Sequence, residues 1–93
     1  MSRQLVLDGM DFLREELDLL GMRMPEWVFM AADPGPPHPI GAVQVTAYNP
    51  DRKLSAGIVM PESAIIQKTP ALAMLRKLEG GIKQSEETYG RTQ

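Results

Sequence analysis

Between Asp33 and Pro39 the chain holds four prolines, Pro34, Pro36, Pro37 and Pro39, with Gly35 and His38 among them. Proline fixes φ and has no amide hydrogen to give to a ladder, so neither a helix interior nor a central strand tolerates this density. The segment is therefore a loop, stiffened by its rings and turned by a glycine that reaches backbone angles other residues avoid. It divides the first part of the chain from an alternating middle, and it holds one imidazole on a rigid support.

Upstream, Val6, Met10, Leu13, Leu17, Leu20 and Met24 recur in steps of four and three, which is one face of an amphipathic helix. Asp8, Asp11, Glu15, Glu16 and Asp18 fill much of the remainder. Asp8 and Asp11 could pair as an N-terminal cap and start the helix late, and Gly21 is suited to end it. From Trp27 to Ala32 both alternating sets are apolar, which fits a strand covered on both sides or one with a sticky face. Downstream of the loop, Val43, Val45 and Ala47 alternate with Gln44, Thr46 and Tyr48. Asn49-Pro50-Asp51-Arg52 suits a type I turn, and Lys53 to Met60 returns as a third strand carrying Leu54, Ala56 and Ile58 on one face.

After Pro61-Glu62-Ser63 a second helical stretch is interrupted at Thr69-Pro70, a pairing that fits a new N-cap with proline in the first turn. Leu72, Leu75 and Leu78 give it an apolar stripe, and Gly80-Gly81 reads as a stop. The expectation is an α+β fold in the order α-β-β-β-α, a three-stranded antiparallel sheet with two helices on one face. Residues 1–81 are expected to form the domain, and 82–93 a flexible polar tail.

Composition narrows the function. The 93 residues contain no cysteine, which excludes disulfides and thiolate metal sites, and the one histidine excludes a histidine dyad or cluster. No apolar run reaches the ~18 residues of a membrane span, and the N-terminus lacks signal-peptide features. An intracellular protein, cytoplasmic or nuclear and without a membrane role, is expected. No Ser-His-acid arrangement, nucleotide-binding glycine loop or metal spacing is present, so no enzyme activity, cofactor or metal is expected. A formal net charge of −2 is uncharacteristic of a nucleic-acid binder, whose footprint is usually basic.

Several residues nonetheless fall in one register. Leu13-Arg14-Glu15, Gly21, Pro25 with Trp27, Gly35-Pro36-Pro37-His38 and Leu75-Arg76-Lys77-Leu78 together resemble the double-stranded RNA-binding domain over about residues 12–79. The resemblance implies duplex RNA contacts from Glu15, Pro36, Pro37, His38 and Lys68. Two departures stand against it. The Trp27 to Gly35 spacing is about one residue long, with Ala42 where the family prefers phenylalanine. More seriously, the family's basic Lys-Lys-x-Ala-Lys at the start of its last helix is replaced by Glu62-Ser63-Ala64-Ile65-Ile66-Gln67.

Phosphate neutralisation supplies most non-specific affinity for a duplex, so losing that cluster removes the main anchor. The resulting expectation is a non-catalytic interaction module of an RNA-processing or RNA-silencing assembly, working mainly through protein contacts with weak or no duplex RNA binding. A protein partner or a homodimer is expected, meeting Leu54 and Ile58 on the third strand, or Ile65, Ile66 and Leu72 around the broken helix. Two alternatives remain open. One is a shape-specific duplex RNA binder using the first helix and the Gly-Pro-Pro-His loop. The other is a small regulatory or viral-type accessory protein, or a small-ligand binder, on a convergent fold.

Overall fold

The computed structural model describes the backbone of residues 3–92 and the side chains of residues 3–90. Helix α1 (Arg3–Arg23) leads into strands β1 (Val28–Ala32), β2 (Val43–Asn49) and β3 (Leu54–Met60), followed by α2 (Glu62–Gln67) and α3 (Thr69–Thr92). The strands form one antiparallel sheet in the order β1-β2-β3. The fold is α+β in the expected α-β-β-β-α order, its closing helical part split into α2 and α3.

Register decides which residues meet the helices. Phe29 opposes Ala47 and Ala31 opposes Val45 across β1 and β2, while Val45 opposes Ile58 and Val43 opposes Met60 across β2 and β3. Because side chains alternate across a strand, these residues share one face. Leu13 and Leu20 of α1 and Ala71, Leu75, Leu78 and Ile82 of α3 close over it, with Trp27 and Ile65 at the margins. Each large side chain so buried contributes about 1.5–3 kcal/mol. The opposite face, with Val28, Met30, Gln44, Tyr48, Ser55 and Gly57, is exposed among the described residues.

The β2–β3 connection forms as its sequence requires. Asn49 is buried, and its Oδ1 accepts the amide of Arg52 at 3.1 Å. Pro50 to Lys53 make the turn, and Lys53 closes it with φ of 57°. The break between α2 and α3 is also where Thr69-Pro70 placed it. Lys68 takes φ of 69°, its amide donating to the Ala64 carbonyl at 3.0 Å and its carbonyl accepting from Leu72 at 2.9 Å.

Helix ends depart from expectation. α1 begins at Arg3, upstream of the Asp8–Asp11 pair; Asp8 instead accepts a bond from Gln4 Nε2 one turn before it, at 2.9 Å. Gly21 lies inside α1, which runs on to Arg23. The larger correction concerns residues 82–93. They are not a loose tail: α3 passes through Gly80-Gly81 and continues to Thr92, while residue 93 lies outside the described residues. Ile82 is fully buried and extends the Leu75–Leu78 stripe by one turn, so tertiary packing holds a helix that two glycines would otherwise end. Further along, Arg52 of the β2–β3 turn reaches Glu86 at 3.4 Å and lies over the Tyr89 ring at 5.5 Å.

The molecule is elongated, with extents of 49 × 29 × 19 Å. Its longest element is α3, whose 24 residues span about 36 Å at 1.5 Å per residue.

Candidate interaction surfaces

The Gly-Pro-Pro-His loop stands clear of the core. Gly35 adopts φ of 74° and donates its amide to Asp33 Oδ1 at 2.8 Å, an Asx turn that starts the loop. The His38 amide then donates to the Gly35 carbonyl at 3.0 Å, and Ala42 donates to Pro39 at 3.2 Å. Pro36, Pro37 and His38 are exposed, and the Pro36–Pro37 peptide is cis. Where the loop rejoins the sheet, Gly41 has φ of 92° and the Glu62 side chain fills the space a Cβ would need. The carboxylate of Glu62 therefore sits at the base of the loop, where a phosphate-binding surface would require a cation.

The other residues of the RNA expectation are exposed but do not gather into a basic surface. Glu15 lies with Asp11 and Asp18 along the outer line of α1, three carboxylates at helical spacing. Lys68 is exposed at the α2–α3 junction. Of the positions that replace the family's lysines, Ser63 and Gln67 are exposed, whereas Ala64 is packed inside.

The five residues of the expected protein interface divide. Ile65 is only 1% exposed, because α2 lies directly against α1 where Gly9 has no side chain. It belongs to the core and offers nothing to a partner. Leu54 and Ile58 are half-buried against the core on the helix-covered face of β3. Ile66 is half-buried, and so is Leu72, which lines a cleft of about 280 Å³ between α1 and α3. Leu20 and Leu75 share that cleft with the charged groups Glu16, Arg23, Arg76 and Glu79. Its charges answer one another: Arg23 pairs with Glu79 at 3.5 Å, and Lys83 reaches the same carboxylate at 3.7 Å.

The sequence left one surface as an open alternative and missed a second. The first is the uncovered sheet face, where the register sets Val28 beside Tyr48 and Met30 beside Thr46. Val28 is 50%, Met30 54% and Tyr48 39% exposed. Of the two readings of Trp27–Ala32, the sticky face is the one that holds. The second is a groove of about 300 Å³ between α1 and the outer edge of β1, lined by Met10, Leu13, Leu17, Phe29 and Ala31 with Arg14 and Asp18. Its helix residues follow the same three-and-four spacing as the core stripe, so periodicity alone merged the two.

Among the described residues, no group of three or more His, Asp or Glu side chains is placed to hold a metal ion, and no helix is long and apolar enough to cross a membrane. No protein-family model, curated protein or solved structure matches this chain.

Proposed function

We propose that this chain is a non-catalytic protein-interaction module, similar in form to a double-stranded RNA-binding domain but with weak or no affinity for duplex RNA. The observation that carries this reading is the uncovered sheet face. Val28, Met30 and Tyr48 present large apolar side chains side by side, and a contiguous exposed apolar patch on a small domain is characteristic of an interface.

Electrostatics supports the second half of the reading. Asp11, Glu15 and Asp18 repel a phosphate backbone along α1, and Glu62 occupies the base of the loop that carries His38. A duplex binder needs cations at such places, because counterion release scales with the phosphates neutralised. The resemblance brings an intracellular RNA-processing or RNA-silencing assembly as the setting for such a module.

A gel-shift and fluorescence titration with duplex RNA at near-physiological salt tests the reading. Little or no binding is expected; micromolar or tighter affinity with a steep salt dependence overturns it. Ser63→Lys with Gln67→Lys places two exposed cations on α2, and a folded double variant that gains duplex affinity supports the register of the resemblance. No gain counts against it.

A further inference from the structure

We propose that the partner for the α1–β1 groove is a second copy of this chain, joined by antiparallel pairing of β1 with its two-fold mate. The proposal rests on the reading of the protein as an interaction module and adds a second surface, with its occupant, to the open sheet face. β1 is an edge strand, Val28-Phe29-Met30-Ala31-Ala32, with no charge and no proline within it. Natural edge strands are usually guarded by an inward-pointing charge, a proline, a bulge or a covering element. Among the described residues β1 has none of these on its outer side, and four of its five residues are exposed.

A two-fold contact must be complementary to itself, because each patch meets its own copy. An uncharged strand meets this condition: no like charges face each other across the new ladder. The groove beside it meets the condition in charge as well. Arg14 and Asp18 stand one helical turn apart on the α1 wall. When β1 pairs with its mate, the two α1 helices flank the axis on the same side of the extended sheet and run in opposite directions. The proposed two-fold axis lies level with Glu16, midway between Arg14 and Asp18, and so sets Arg14 of each copy opposite Asp18 of the other. Among the described residues Arg14 has only a loose exposed pair within one chain, with Asp11 at 3.9 Å, which leaves its guanidinium available.

Met10, Leu17 and Phe29, half-buried in the single chain, would complete their burial in the same contact. Leu7, one turn before Met10, extends this line and is 48% exposed. The opposite edge lacks this self-complementarity. The groove along β3 beside Ala56 and Ile58 carries Lys77 as its one charged side chain, and a second copy would bring another cation with no anion.

The test is sedimentation equilibrium of the purified chain and its variants. A dimer at tens of micromolar is expected. Ala31→Lys puts an inward charge on the β1 edge and should weaken it by about tenfold or more, as edge charges and like-charge contacts do. Arg14→Asp sets carboxylate against carboxylate twice per dimer and should weaken it by about tenfold as well. Combining Arg14→Asp with Asp18→Arg reverses the pair and should restore association to within about threefold of the parent, since the same contact is remade with its ends exchanged. Ala56→Lys, the matching inward position on the β3 edge, should leave the dimer unchanged.

Circular dichroism and thermal melting establish that each variant folds; if Ala31→Lys does not, the charge reversal carries the test. A monomer at every concentration overturns the proposal and leaves the β1 edge to a different, extended peptide. A dimer insensitive to Ala31→Lys and broken by Ala56→Lys overturns it in favour of β3. Neither result depends on RNA: tight duplex binding would overturn the module reading whatever the oligomeric state.

Discussion

Gly9 and Trp27 show how much of this fold depends on single side chains, or on the lack of one. At Gly9 a Cβ would collide with the main chain of Ile65, so α1 and α2 approach closely only because the position is bare. Alanine there gains roughly 0.5–1 kcal/mol of helix propensity and meets an obstacle that cannot rotate away. Overpacking of this kind costs about 1–3 kcal/mol, so Gly9→Ala is expected to lower stability in a chemical denaturation experiment despite the better helix former. Trp27 is buried to 3% exposure, and its indole N–H has no hydrogen-bond partner among the described residues. Trp27→Ala should cost on the order of 3–5 kcal/mol and Leu75→Ala roughly 2–5 kcal/mol. His38→Ala, on an exposed loop, should stay within about ±0.5 kcal/mol. Comparable losses in all three melts would mean that the loop is packed rather than displayed.

At the scale of elements, α3 sets the largest gap between pattern and outcome. Two glycines cost a helix about 1–2 kcal/mol together, whereas burying Ile82 returns about 1.5–3 kcal/mol. The burial wins, with Arg52 tying the far end to the β2–β3 turn. Two substitutions separate these effects in thermal melts. Gly80→Ala meets nothing within 4 Å and should stabilise by about 0.5–1 kcal/mol, while Ile82→Ala should cost about 2–5 kcal/mol. If Ile82→Ala is silent, the helix beyond Gly81 is not held by the core.

The strands, the proline loop, the Asn49–Arg52 turn and the break at Thr69-Pro70 were legible because each rests on local chemistry: alternation, fixed φ, a side chain bonding its own backbone. The course of α3 past Gly81 was not, since its cause is the distant face of β3. Ile65 was misjudged for the same reason. Two adjacent isoleucines look alike in sequence, and only the close approach of α1 at Gly9 sends one inward. The loop and His38 stand exposed as the sequence implied, yet Glu62 at its base comes from an element 21 residues beyond Gly41 in the chain.

For the whole molecule, the elongation described above has a hydrodynamic consequence. A compact chain of this length has a radius of gyration of roughly 12 Å, whereas this one has 14.0 Å. A single copy therefore diffuses more slowly than a sphere of equal mass, and it should leave a gel-filtration column ahead of globular standards of its own molecular weight. Early elution by itself would imitate a dimer. Sedimentation velocity should give the monomeric species a frictional ratio above that of a compact protein; a ratio typical of a sphere would mean that the distal turns of α3 fold back or fray in solution. The long helix thus makes the chain look heavier than it is to any method that reads friction, and only a measurement of mass separates its shape from its company.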